Sequence, residues 1–194
     1  TGSPSIRKFD GFGFGANRDS MAGVPHFSDV TFVGRFPVAE YAFHDERFPG
    51  DVRMQALSPF IPHNDRDSSL PAAMFAFEVE NTTDAPITYV IAGTLGNFGC
   101  DSGIHRFVQA DGTSALHLTS ADEDRPAEQR GDLTIMTDAD DVEHVDYHFR
   151  GQWFDSLSLY WREFARAGRM PERHYDKPRQ VKNMLAQPEH GTLA

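Results

Sequence analysis

The chain has 194 residues, of which 39% are hydrophobic and 12% aromatic, and its formal net charge is −11. This length allows a sizeable core, and the composition excludes a disordered chain. The negative charge excludes nucleic acid as a partner, because an acidic surface repels phosphate backbones, and it disfavours anionic membranes. No apolar run reaches the roughly 20 residues of a spanning helix, so we predict no transmembrane segment.

The cysteine content and the first residues bear on the cellular location. Cys100 is the only cysteine, so no internal disulfide can form and packing must supply the stability. A single thiol is typical of a reducing compartment, and we expect a cytoplasmic protein. Residues 1–5 lack the basic and apolar regions of a signal peptide, and they lack an initiator Met. We therefore expect a chain cut from a longer one.

Residues 1–28 form a lead-in rich in Gly, Phe and Ser. Its run Gly11–Gly15 alternates Gly and Phe, but no Lys-Ser or Lys-Thr follows it, as a phosphate-binding loop requires. We interpret this segment as flexible backbone whose Phe rings pack on the following sheet.

Strand patterns follow in chain order. Short runs of alternating apolar and polar residues, rich in Val, Phe and Tyr, are typical of half-buried strands. Turn formers fill residues 81–86, so we expect the runs on either side of them to form a hairpin. The runs occupy residues 30–33, 38–43, 52–57, 73–79 and 87–92.

The second half of the chain continues the strand pattern. Asp111-Gly112 lies between apolar runs at 106–109 and 115–118, which predicts a tight hairpin. Two more runs occupy 133–137 and 142–149. Strands at intervals of about a dozen residues predict an all-β, antiparallel sandwich over residues 29–194.

One segment near the C-terminal end has helical periodicity. Apolar residues recur at helical spacing over residues 153–167, and Gly168 is a plausible helix stop. This pattern predicts one amphipathic helix whose aromatic stripe packs on the edge of the sandwich. The stripe consists of Trp153, Leu157, Tyr160, Trp161 and Phe164.

Two groups of residues raise the question of a metal site. His144, Asp146 and His148 share one face of a predicted strand, but no third and fourth zinc ligand follows at a readable spacing. We interpret them as a solvent-facing polar stripe. Acidic runs occupy 122–124 and 138–141; the second lacks the Gly and distal Glu of an EF-hand loop, and we interpret both runs as solvated turns. The sequence therefore predicts no metal and no cofactor.

The most informative segment is Ser58–Pro71, which connects two predicted strands. Three prolines stiffen it, and Asp67 before two serines can accept bonds from local backbone N–H groups. We expect a rigid, self-bonded crossover that presents His63, Asp65 or Asp67 to a neighbour.

This segment resembles the "SPFIP…DSSLP" signature in the N-terminal domain of glycoside hydrolase family 116. The likeness extends over roughly residues 10–194, and several flanking stretches share it. They are residues 21–27, 36–39, 48–50, 79–83, 153–154 and 160–161. Family members include bacterial β-glucosidases and the non-lysosomal glucosylceramidase.

The resemblance implies that this β-sandwich precedes an (α/α)₆ catalytic barrel in a retaining β-glycosidase. The catalytic Glu and Asp lie in that barrel, so no catalytic residue is expected in this chain. Strands that the family places after residue 194 are missing, and we expect a domain cut at both ends. The implied partners are the missing barrel of the same polypeptide and a glycoside substrate. His63, Asp65 and Asp67 are the candidates for the domain interface or the substrate pocket.

Two other functions remain open at this point. The chain could be an independent carbohydrate-binding module, in which Trp153 or Trp161 stacks on sugar rings. It could also be a free-standing enzyme, although no catalytic constellation is readable. No nucleophile elbow occurs, and the 29 acidic residues do not reveal which two carboxylates would face each other across a glycosidic bond.

Overall fold

The computed structural model describes residues 24–97, 103–120, 126, 131–149, 155–175 and 190–194. The chain divides into two compact units, one ending at Tyr89 and the other beginning at Val90. The predicted lead-in falls outside the described residues except for its last five positions, as do Cys100, Trp153 and the acidic run 122–124.

The first unit contains a four-stranded antiparallel sheet in the simple order β1-β2-β3-β4. The expected runs at 30–33, 38–43, 52–57 and 73–79 all form strands. A one-turn helix, α1 (Asp65–Ser68), lies in the crossover between the last two strands. The strands are β1 (Asp29–Arg35), β2 (Val38–His44), β3 (Asp51–Leu57) and β4 (Met74–Glu80).

Strand register gives this sheet one apolar and one polar face. Phe32 is paired with Tyr41, Tyr41 with Met54, and Met54 with Phe77, so one row across the sheet is entirely apolar. The side chains of the neighbouring row lie on the opposite face of the sheet. That row ends in the exposed ion pair Arg53–Glu78, with 3.8 Å between nitrogen and oxygen. This is the alternation expected of a half-buried antiparallel sheet.

A buried carboxylate closes the turn after β2. Asp45 accepts bonds from the Arg47 backbone N–H (2.9 Å), from the Arg47 guanidinium (2.7 and 2.8 Å) and from the Ser28 N–H (3.1 Å). These donors, with Arg47 first, hold the pKa of Asp45 well below its ordinary value of 3.8. The carboxylate therefore ties the entry of β1 to the exit of β2.

The depressed pKa of Asp45 predicts an acid-sensitive contribution to stability. Because the folded state favours the ionised form, this contribution is present above about pH 4 and is lost as the pH falls through the folded pKa. We expect Asp45→Asn to lower the free energy of unfolding at pH 7. The difference in this free energy between the variant and the unsubstituted chain should shrink progressively below pH ~3.5. Urea unfolding across this range measures the effect. Glu46→Gln, at an exposed neighbouring carboxylate, is the control; an equal pH dependence in both variants would contradict the assignment.

The second unit contains two three-stranded antiparallel sheets and one long helix. One sheet has the order β5-β10-β9 and the other has the order β6-β7-β8. The expected all-β fold with one amphipathic helix is thereby confirmed. The elements are β5 (Gly93–Gly96), β6 (Gly103–Ala110), β7 (Thr113–Ser120), β8 (Leu133–Thr137), β9 (His144–Val145), α2 (Asp155–Ala167) and β10 (His190–Leu193).

The predicted Asp-Gly hairpin is present. Asp111 and Gly112 have φ angles of 51° and 73°, and Ala110 is paired with Thr113 directly beside them. Two successive residues with positive φ define a type I′ turn, which matches the twist of the strands that it joins.

The two sheets of the second unit pack face to face through glycines. A Cβ atom on Gly191 in β10 would lie 2.5 Å from Leu116 Cδ2 in β7, and a Cβ on Gly93 would lie 2.3 Å from Ile135 Cδ1 in β8. Leu116 and Leu118 are 0% exposed at this contact. The core of the second unit therefore lies between its two sheets, as in a β-sandwich.

Helix α2 packs on the outer face of the β5-β10-β9 sheet. The buried Tyr160 stacks on His148 at 5.1 Å between ring centroids, and Thr192 of β10 bonds the same histidine. Gly168 ends the helix with a φ of 66° and donates to the Phe164 carbonyl at 2.7 Å, which confirms the predicted stop.

Two strand predictions were wrong. Residues 87–92 pair with no strand in the described part of the chain, so the hairpin with 73–79 does not form there. Tyr89 instead donates from its hydroxyl to the Pro49 carbonyl and packs on Phe48. The predicted strand 142–149 is reduced to His144–Val145, because β10 pairs with only these two residues.

The glycine contact generates a stability prediction. We expect Gly191→Ala to lower the free energy of unfolding by about 1–3 kcal/mol, because Leu116 is fully enclosed and cannot move aside without strain. Gly131→Ala is the matched control, since nothing lies within 4 Å of its added Cβ. Urea unfolding of both variants checks this; equal stability would show that the sheets separate more freely than the contact implies.

Candidate functional site

The Ser58–Pro71 crossover begins directly after β3 and leads back to β4. Asn64 caps helix α1: its Oδ1 accepts from the Asp67 N–H at 3.1 Å, and its Nδ2 donates to Asp67 Oδ2 at 2.7 Å. Asp65 and Asp67 occupy the first turn, where negative charge favours a helix start, and Arg66 lies in the last turn. The local sequence therefore specifies the turn of helix.

Side chains satisfy the backbone of this crossover. Ser68 Oγ accepts from the Ile61 N–H at 2.9 Å and lies 3.1 Å from the Ile61 carbonyl, to which it donates. The Asn64 N–H reaches the same carbonyl at 3.0 Å, and the Ser69 N–H reaches the Asp65 carbonyl at 3.0 Å. These contacts confirm a self-bonded crossover, although Asp67 accepts from the side-chain amide of Asn64 and not from a backbone N–H as expected.

The structure assigns different surroundings to the three candidate residues. Asp67 is half-buried and its carboxylate is used within the crossover by Asn64. Asp65 and His63 are exposed. Asp67 is therefore engaged within the crossover, whereas His63 and Asp65 remain at its surface.

His63 has an unusual backbone conformation. Its φ of 64° lies in the left-handed region, which costs an L-amino acid about 1–2 kcal/mol. A strained backbone at an exposed polar residue raises the hypothesis of a functional constraint. Sequence patterns alone did not reveal it, because no Gly or Asn marks the position.

The strain at His63 predicts a gain in stability on substitution. We expect His63→Gly to raise the free energy of unfolding by roughly 0.5–1 kcal/mol, since glycine adopts positive φ without a Cβ clash. His63→Ala keeps the clash and is expected to give no gain. Thermal unfolding of the two variants compares them; equal melting temperatures would show that the crossover is not strained.

A second cluster of polar side chains lies in the second unit. The expected solvent-facing stripe was wrong, because His148 is only 9% exposed and its Nε2 lies 2.7 Å from Thr192 Oγ1. His144 stacks on Phe107 at 3.9 Å between ring centroids, and its Nδ1 lies 3.1 Å from Asp146 Oδ1. His144 lies in β9, and His148 follows in the irregular chain under helix α2, and both stack on aromatic rings as packing residues.

His105 joins this cluster, and the sequence did not single it out. It is buried, its ring stacks on Tyr147, and its Nδ1 is bonded to the Asp146 carbonyl. Its Nε2 lies 3.4 Å from the amide nitrogen of Asn97. The only available signal was its inward position in β6, between the outward Ile104 and Arg106.

The arrangement of acidic and histidine side chains bears on metal binding. In the part of the chain that the structure describes, no group of three or more His, Cys, Asp or Glu side chains could hold a metal ion. The second acidic run, 138–141, is an exposed turn after β8. Trp161, a candidate for sugar stacking, is half-buried on α2. No described helix is long and apolar enough to cross a membrane.

These features define an antiparallel all-β protein that presents one rigid crossover beside a four-stranded sheet. A protein-family model described as "beta-glucosidase 2, glycosyl-hydrolase family 116 N-term" matches residues 9–191. The chain belongs to this family of N-terminal domains, as the resemblance of the crossover and its flanks implied. A search of curated proteins gave no significant match.

Proposed function

We propose that this chain is the N-terminal accessory domain of a retaining β-glycosidase that is similar to β-glucosidases and glucosylceramidases. It packs on the (α/α)₆ catalytic barrel of the same polypeptide and forms part of the wall of the substrate pocket. A cytoplasmic location of the parent belongs to the same proposal and is supported by the single cysteine.

The Ser58–Pro71 crossover is the observation that carries the proposal. It carries His63 and Asp65 at its surface, on a backbone held by Asn64 and Ser68. Polar groups held in this way lose little entropy on binding and can orient a sugar hydroxyl or a neighbouring loop. The family membership supports a glycosyl hydrolase as the parent.

Substitutions in the full-length parent test the pocket role. We expect His63→Ala and Asp65→Ala each to lower kcat/KM on a nitrophenyl β-glycoside about tenfold, which corresponds to ~1.4 kcal/mol. Asp84→Ala removes an exposed carboxylate from another turn and is the matched control. Unchanged activity and unchanged melting temperature in both crossover variants would reject a role for this segment.

An independent carbohydrate-binding module is the alternative, and calorimetry separates it from the proposal. Titration of this chain with cello-oligosaccharides is expected to give no saturable heat, because an accessory wall needs the barrel to complete a sugar site. Clear binding by the chain on its own would favour the module. Steady hydrolysis of the nitrophenyl glycoside by this chain would instead favour a free-standing enzyme.

A further inference from the structure

Strand β1 forms one edge of the four-stranded sheet. In the described part of the chain it pairs only with β2, and its residues are exposed except for the half-buried Val30. In an antiparallel pair, alternate residues direct their N–H and C=O groups to the partner strand, and the others direct them away. The outer side of β1 therefore presents a row of backbone donors and acceptors that another strand can bond.

The centre of β1 lacks the features that protect edge strands from pairing. Such strands are usually blocked by Lys, by Pro, by a β-bulge or by inward-pointing charges. The run Thr31–Gly34 contains none of these residues, and the register with β2 continues without a bulge from Asp29 to Arg35. Phe32 at the centre is 58% exposed, although its ring contacts Tyr41 at 5.0 Å between centroids. The strand is therefore apolar at its centre and open to a partner.

The charges at the two ends of β1 are placed symmetrically. Asp29 and Arg35 each lie three residues from Phe32, and both are exposed on the polar face of the sheet. Neither forms an ion pair within the described residues, since His44, the neighbour of Asp29 in β2, is bonded to Asp51 instead.

This symmetry makes β1 complementary to a second copy of itself. When two β1 strands pair antiparallel about Phe32, the Asp29 of each copy lies directly opposite the Arg35 of the other. Opposite charges at facing positions stabilise a strand pair, and aromatic rings that face each other at its centre do the same.

The other edge of this sheet does not have this property. Strand β4 carries Glu78 and Glu80 and no cation. Two copies of β4 would bring glutamates together without an opposite charge on either strand, and like charges at facing positions are destabilising. Pairing of β1 with the β4 of another copy is heterologous and leaves a free edge at each end, so it builds open fibres instead of a closed dimer.

We propose that the parent protein forms a two-fold symmetric dimer in which β1 of one copy pairs antiparallel with β1 of the other. The two four-stranded sheets then form one continuous sheet, with Phe32 at the two-fold axis. Backbone hydrogen bonds supply the affinity, and the two Asp29–Arg35 pairs fix the register. This inference goes beyond the proposed function, which concerns a catalytic domain of the same polypeptide and not a second copy.

Sedimentation velocity of the full-length parent over a range of concentrations tests the dimer. We expect a monomer–dimer equilibrium, and we expect Arg35→Asp and Asp29→Arg each to raise its Kd about tenfold, because two pairs of opposite charge become pairs of like charge. The double variant, Asp29→Arg with Arg35→Asp, restores opposite charges and should return Kd to within about threefold of the unsubstituted value. Arg106→Asp, which reverses an exposed charge in β6, is the matched control and should leave Kd unchanged.

Cross-linking in the same parent tests the register. Two thiols introduced by Phe32→Cys lie opposite each other at the two-fold axis, so a short bis-maleimide should join two copies. Asp84→Cys, in an exposed turn, is the control and should stay unlinked, with the unsubstituted parent as background for its own thiols.

Several results would overturn the inference. They are a parent that stays monomeric at every concentration, a dimer whose Kd is insensitive to both charge reversals or is not recovered in the double variant, and a dimer that Phe32→Cys does not link. Oligomers that keep growing with concentration would identify heterologous edge pairing and also overturn it. The proposed function is judged separately, by the activity of His63→Ala and Asp65→Ala, so either hypothesis can fail while the other stands.

Discussion

The backbone N–H and C=O groups of the crossover between β3 and β4 need hydrogen-bond partners, and these partners do not come from a neighbouring strand. The structure of the crossover depends on this constraint. Ser68 satisfies both backbone groups of Ile61, and Asn64 caps the single turn of helix. A segment of this length without such bonds would sample many conformations, because each ordered residue costs about 1–2 kcal/mol of backbone entropy. The backbone placement of His63 and Asp65 follows from these bonds.

The same principle explains the polar residues of the second unit. Glycines at positions 93 and 191 let the two sheets approach, which encloses His105, whereas helix α2 covers His148 on the opposite face of β10. His105 and His148 are therefore bonded to a carbonyl and to a threonine hydroxyl, respectively. Burial of a polar ring without partners would be costly, and these contacts satisfy the buried ring nitrogens.

The two units differ in how they display apolar surface. The second unit encloses Leu116 and Leu118 between its own sheets. The first unit has a single sheet in the described residues, and large apolar side chains such as Phe36 and Phe75 stay exposed. The described residues of the first unit therefore leave apolar surface that they do not themselves enclose.

Much of the fold was predictable because it depends on local pattern. Alternation predicted β1 to β4, and Asp111-Gly112 predicted the β6–β7 hairpin, since both signals act within a few residues. The segments at 87–92 and 142–149, where the strand predictions were wrong, have strong β propensity. A strand, however, also needs a partner strand at hydrogen-bonding distance. In both segments tertiary contacts, of Tyr89 with Pro49 and of β9 with β10, decided the outcome.

The sequence by itself determined the all-β class, the family and the crossover that carries the candidate residues, because these depend on short runs and on one long motif. Only the tertiary structure decided which candidates are available: Asp67 is used by the helix cap, and His63 is exposed on a strained backbone. It also decided that Phe36 meets Phe60, which lies 24 positions further along the chain. The pairing of β2 with β3 brings these rings together, and strand register is a property of the folded sheet that no local pattern contains.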